Sequence, residues 1–70
     1  MANSTTDILR NNIKTFRENQ NLTQEKLSEL AGISADYLSE IERGKKKVPS
    51  IKRLIQISEA LDIEIYKFFK

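Results

Sequence analysis

An all-α fold of five short helices is predicted for this 70-residue chain by two features. Apolar residues recur along most of its length at the three- and four-residue spacing of a helix face. Most of these runs are introduced by Ser or Thr, or closed by Gly, the residues that start and stop helices. So short a chain closes one core and forms a single domain.

The first helix is expected over residues 7–19, where Leu9, Ile13 and Phe16 form one stripe. It follows a Ser-, Thr- and Asn-rich leader, residues 1–6, expected to be flexible. Thr23 is a good N-cap for the second helix, and Glu25 lies in the first turn, where the helix dipole favours negative charge. Its buried face is expected to be Leu27, Leu30 and Ala31, and Gly32 supplies the left-handed residue that ends it. Ser34 caps a third helix with Asp36 in its first turn and Leu38 and Ile41 facing inward; Gly44 stops it. After a loop at residues 45–49, Ser50 caps a fourth helix with the stripe Ile51, Leu54, Ile55, Ser58 and Leu61. Residues 63–69 are dense enough in apolar side chains for a short fifth. Ile63 and Ile65 alternate about Glu64 as in a strand, but a lone strand has no partner.

Composition excludes several classes of function. The chain has no Cys and no His, so disulfides, thiolate metal sites and imidazole bases are unavailable. No apolar run approaches the roughly 20 residues of a membrane span, and no apolar signal core opens the chain. A cytoplasmic protein without metal, cofactor or membrane partner is expected. An enzyme is not: there is no glycine-rich phosphate loop, and the two glycines serve as helix stops. The net charge of +2 is small, but it is unevenly placed. Residues 1–42 carry a net −3, whereas residues 43–53 hold six basic side chains and no acid. Such a stripe on a mildly acidic body suits phosphate contact, and equally a solvated loop.

Residues 23–44 narrow the choice. Two short helices joined by a three- or four-residue turn containing Gly make a helix-turn-helix. Gly32 gives the left-handed residue, Ile33 plugs the corner and Ser34 caps the donors beyond it. The string TQEKLSELAGISADYLSEIERGKKKVPSIKRLIQISEAL strongly resembles the lambda-repressor-like, or Cro-type (XRE), regulators of bacteria and phages. The likeness spans about residues 8–69, and its most specific parts are TQ-x-x-L-S-x-x-AGIS, YLS-x-IERG and ISEALDI. It implies a five-helix lambda-repressor-like DNA-binding domain, with the helix-turn-helix at helices 2 and 3. Helix 3, about residues 34–43, would enter the major groove, and helix 2 would lie against the backbone. The implied function is sequence-specific regulation of transcription, as a repressor or an activator according to operator position. The KKKVPS loop departs from the commoner pattern in being a residue longer and richer in lysine.

With Leu38 and Ile41 buried, the outward positions of helix 3 are Ala35, Asp36, Tyr37, Ser39, Glu40 and Arg43, all candidate base contacts. The resemblance places the main base-reading positions at Ala35, Asp36 and Glu40. The two carboxylates accept from the exocyclic amine of cytosine; Ala35 offers a methyl contact to thymine. Asp36 also complements the helix dipole, and Glu40 also suits an ion pair with Arg43 or a lysine. Arg43 can grip guanine bidentately or hold a phosphate. Phosphate contacts are expected from Thr23 and Gln24 at the start of helix 2, from Ser34, from Arg43, and from Lys45, Lys46 and Lys47. Lys52 and Arg53 follow on the same side, whereas Glu25, Glu29 and Glu42 read as solvated faces.

A domain reading so few base pairs gains discrimination by pairing on a palindrome, so a homodimer is expected, with half-sites roughly 34 Å apart. The C-terminal residues Ile63, Ile65, Tyr66, Phe68 and Phe69 are the candidate dimer surface; some of them must also close the core. The resemblance is nearest to restriction–modification controller proteins, which dimerise through their C-terminal helices. No small-molecule effector is expected. The acidic helix 3 keeps one alternative open: a protein-interaction module, antitoxin-like or deficient in DNA binding.

Overall fold

The computed structural model describes residues 4–44 and 49–70. Among these, α1 (Thr5–Asn19), α2 (Gln24–Ala31), α3 (Ala35–Arg43) and α4 (Ile51–Leu61) precede a C-terminal 3-10 segment, Ile65–Phe69. The all-α class holds, but the fifth element is not an α-helix. Five residues close barely one α-turn, and the tighter bond from the Lys67 N–H to the Glu64 carbonyl is made instead. No helix of the described residues is long and apolar enough to cross a membrane.

Each α-helix starts on a side-chain cap. The hydroxyls of Ser4, Thr23, Ser34 and Ser50 accept from the N–H of Asp7, Lys26, Tyr37 and Arg53, at 3.0–3.3 Å. Such a cap is worth about 1 kcal/mol. Ser4 is the cap that sequence spacing missed, so α1 begins two residues inside the expected leader. Gly32, Gly44 and Asp62 close α2, α3 and α4 in the left-handed conformation, at φ 73°, 75° and 57°.

The core comprises Leu9, Ile13, Leu27, Ala31, Leu38, Ile41, Leu54, Ile57, Leu61 and Phe68. Two stripes differ from expectation. On α2 Leu30 is 53% exposed, and the buried position belongs to Ser28, whose hydroxyl donates to the Glu25 carbonyl. On α4 the buried row is Leu54, Ile57, Ser58 and Leu61, while Ile51 and Ile55 face outward. Both rows have helical spacing; α4 turns its Ile57 side inward, into the core shared with the other helices.

Phe68 is the larger correction. Expected at a dimer surface, it is fully buried, with its ring centroid 6.1 Å from that of Phe16 on α1. The Asn12 amide fastens this segment by donating to the Phe68 carbonyl at 2.8 Å, and the Gln20 amide holds the end of α4 through the Leu61 carbonyl at 2.7 Å. Tyr66 and Phe69, by contrast, are exposed. Phe68→Ala should therefore cost about 3–5 kcal/mol in urea unfolding, whereas Phe69→Ala should stay within about 1 kcal/mol. Equal losses would contradict this division.

Candidate nucleic-acid interface

The helix-turn-helix is held from behind by a buried charge. Arg17, on α1, is 9% exposed and meets Glu42 of α3 side on. Its Nε and Nη2 donate to Oε2 and Oε1 of Glu42 at 2.8 and 2.9 Å, and its Nη1 donates to the Leu22 carbonyl at 2.7 Å. The Gln24 amide, in the first turn of α2, donates to Glu42 Oε1 at 3.0 Å. One carboxylate thus ties α1, α2 and α3 together, in a bidentate pair with fixed direction. Its hydrogen bonds to Glu42 hold the Arg17 guanidinium above its ordinary pKa, against the opposing effect of burial. A raised arginine pKa stabilises the fold at every pH below the ordinary arginine range and loses that contribution only above it. The cation of the pair is no switch at working pH.

This network corrects two expectations. Glu42 is buried, not on a solvated face, because it lies beside Ile41 and one turn beyond Leu38. Gln24 directs its amide to Glu42 rather than outward. The sequence did hold a signal for the pair: Arg17 continues the Leu9–Ile13 stripe of α1 at the same four-residue spacing. A charge at a core position calls for an opposite one.

The turn is built as its residues dictate. The Gly32 and Ile33 N–H groups donate to the Glu29 and Ser28 carbonyls, closing α2, and Ser34 opens α3 immediately afterwards. A Cβ on Gly32 would meet its nearest neighbour, the Gln56 amide nitrogen, at an ordinary 3.6 Å. Glycine is required there by the positive φ, not by crowding.

Leu38, Ile41 and Glu42 occupy the inner face of α3. Of the expected base contacts, Asp36 and Arg43 are exposed, while Ala35, Tyr37, Ser39 and Glu40 are half-buried. Tyr37 packs against the core and lines a shallow depression of about 390 Å³ with Gly32, Ile33, Ser34, Ser50 and Arg53. The capped starts of α3 and α4 therefore open on the same hollow, with the Arg53 guanidinium tethered to Gln56 Oε1 at 2.9 Å. Backbone donors at helix starts and a nearby guanidinium suit anionic oxygens. Thr23 and Ser34 are exposed at their caps. Lys45, Lys46 and Lys47 lie outside the described residues. At the C-terminal end Ile63 and Ile65 are half-buried against the core, leaving Tyr66 and Phe69 as the exposed members of the expected dimer set.

Residues 13–68 match the family model described as helix-turn-helix. The control protein C.SmaI of Serratia marcescens is 33% identical over 61 residues, covering 87% of this chain and 71% of that protein. The HTH-type transcriptional regulator SinR of Bacillus subtilis is 37% identical over 54 residues, 77% of this chain and 49% of SinR, so the match spans about half of that regulator. Among solved structures, the restriction-modification controller protein C.AhdI of Aeromonas hydrophila superposes with a TM-score of 0.86 at 30% identity, covering 91% of this chain and 96% of the other. SinR in complex with DNA gives 0.84 at 32% identity, covering 89% and 98%.

Because the Arg17–Glu42 pair is buried, losing either partner strands a charge. Arg17→Met or Glu42→Leu alone should destabilise by about 3–5 kcal/mol, and the double substitution by less than either. Urea unfolding of the three variants checks this; additive losses would contradict it.

Proposed function

The chain belongs to the helix-turn-helix family, and we propose that it is a sequence-specific, double-stranded-DNA-binding transcriptional regulator acting as a homodimer in the cytoplasm. The observation that carries this reading is the outer face of α3. It presents exposed Asp36 and Arg43, and its capped start opens with that of α4 on one hollow, on a scaffold shared with relatives named as transcriptional regulators, one of them solved with DNA.

In this reading α3 lies in the major groove, with Ala35, Asp36, Tyr37, Ser39, Glu40 and Arg43 toward the bases. Asp36 and Glu40 select cytosine amines and disfavour the acceptor-rich edge of guanine. Thr23, Ser34 and the first-turn N–H groups of α2 hold phosphate oxygens; Gln24 contributes through its backbone while its side chain braces Glu42. Arg43, Lys45, Lys46 and Lys47 add phosphate contacts and offset the acidic body. Pairing of two copies involves exposed Tyr66 and Phe69 with the edges of Ile63 and Ile65. We assign no catalytic step and no small-molecule effector.

Selection of bound duplexes from a random pool should recover a palindrome with half-sites about one helical turn apart. Absence of enrichment, together with no salt-sensitive retardation of random duplex, would favour the protein-interaction reading instead. Replacing Lys45, Lys46 and Lys47 by Ala should weaken binding to all sequences and flatten the log–log salt dependence by roughly 0.9 for each phosphate no longer neutralised. An unchanged slope would remove the loop from the interface. Tyr66→Ser with Phe69→Ser should shift sedimentation toward monomer while the fold is retained; an unchanged dimer would place the pairing surface elsewhere.

A further inference from the structure

Arg10 is not among the residues assigned to DNA, yet it stands where α1 passes the end of α3. Its Nε donates to Asp7 Oδ1 at 3.2 Å and its Nη1 to Asn11 Oδ1 at 3.2 Å, so two neighbours on its own helix orient the guanidinium. The same Nη1 reaches across to the Glu42 carbonyl at 3.4 Å. Its flank lies against Gly44: a Cβ there would fall 3.0 Å from Arg10 Nε and 3.1 Å from Cδ. The side chain remains 31% exposed.

These contacts fall on the two residues that bracket Arg43, whose own side chain is exposed. The Glu42 carbonyl is one of the last-turn acceptors of α3, where the helix dipole favours a cation. Gly44 is left-handed at φ 75°, and a Cβ there would crowd the guanidinium by a few tenths of an ångström. Buried Leu38 and Ile41 fix the body of α3, while Arg10 donates to the backbone on one side of its terminal arginine and lies against Gly44 on the other.

We propose that Arg10 is a positioning residue for DNA recognition: it locks the C-terminal end of α3 so that Arg43 is presented to DNA in one direction. The inference rests on the DNA-binding reading. It makes Arg10 act through Arg43 rather than through a phosphate of its own.

The test is a double-mutant cycle on the full chain, read by fluorescence anisotropy with the palindromic duplex recovered by selection, across a salt series. Arg10→Met should weaken binding about 5- to 10-fold in the wild-type background and less than about 2-fold in an Arg43→Ala background. In the Arg43→Ala background, adding Arg10→Met should leave the salt slope unchanged, because Arg10 holds no phosphate of its own. Asp7→Asn gives a second reading with the opposite sign from simple electrostatics. Removing a negative charge would strengthen binding through net charge, but here it frees Arg10 and should weaken binding. Equal losses in both backgrounds, a slope reduced by a further ~0.9 when Arg10→Met is added to Arg43→Ala, or tighter binding by Asp7→Asn would each overturn the proposal. Circular dichroism at the binding temperature confirms that each variant is folded. Failure of the wild-type chain to bind any duplex would overturn the DNA-binding reading itself, which is a different result from normal binding by the Arg10 variant.

Discussion

A hydrophobic core of Leu and Ile side chains attracts helices to one another but does little to set their angle, because burial of apolar area has no direction. The Arg17–Glu42 pair supplies the direction. Two parallel N–H···O bonds fix the guanidinium in the plane of the carboxylate, and the third Arg17 nitrogen, Nη1, donates to the Leu22 carbonyl ahead of α2. Gln24 completes the set from the first turn of α2. Displacing any one of α1, α2 or α3 would break charge-assisted bonds in a place where water cannot replace them. The turn at residues 32–34 limits how α2 and α3 diverge, and the network chooses one geometry within that limit.

Charge is divided accordingly. The negative partner of the fixing pair is buried, as are Leu38 and Ile41, so the charge on the rest of α3 is that of Asp36, Glu40 and Arg43, beside half-buried Ala35, Tyr37 and Ser39. In the proposed complex, two carboxylates on that face would discriminate between base edges but repel phosphate, so attraction would have to come from beside the helix. We assign that attraction to the basic run that begins at Arg43 and to the backbone donors at the starts of α3 and α4 around Arg53. Specificity and affinity are thus assigned to adjacent parts of one surface.

Local chemistry made much of this legible. Thr23, Ser34 and Ser50 cap as their positions require, and Gly32 and Gly44 close their helices in the left-handed conformation that glycine adopts without strain. What was not legible depended on tertiary contacts. On α4, Ile55 and Ile57 are equally apolar, and only tertiary packing decides that Ile57 turns inward. At the C-terminus five large apolar residues gave no sign of which one Phe16 would receive; it is Phe68. Glu42 passes for a surface residue because a carboxylate is normally exposed, and only Arg17 at a stripe position of a different helix makes its burial tolerable. Gln24 stands at the expected helix end but turns its side chain inward for the same reason.

The most direct test of this arrangement is a titration of labelled protein with its selected duplex, followed by backbone amide and arginine Nε–H resonances. The largest shifts are expected at the starts of α2 and α3, along the outer face of α3 and at the Arg43 side chain. The Arg17 Nε–H should keep its position and its slow exchange, as a brace formed before DNA arrives. Shifts concentrated at residues 65–69 with α3 unaffected, or an Arg17 signal that is absent from the free protein and forms only on binding, would contradict it.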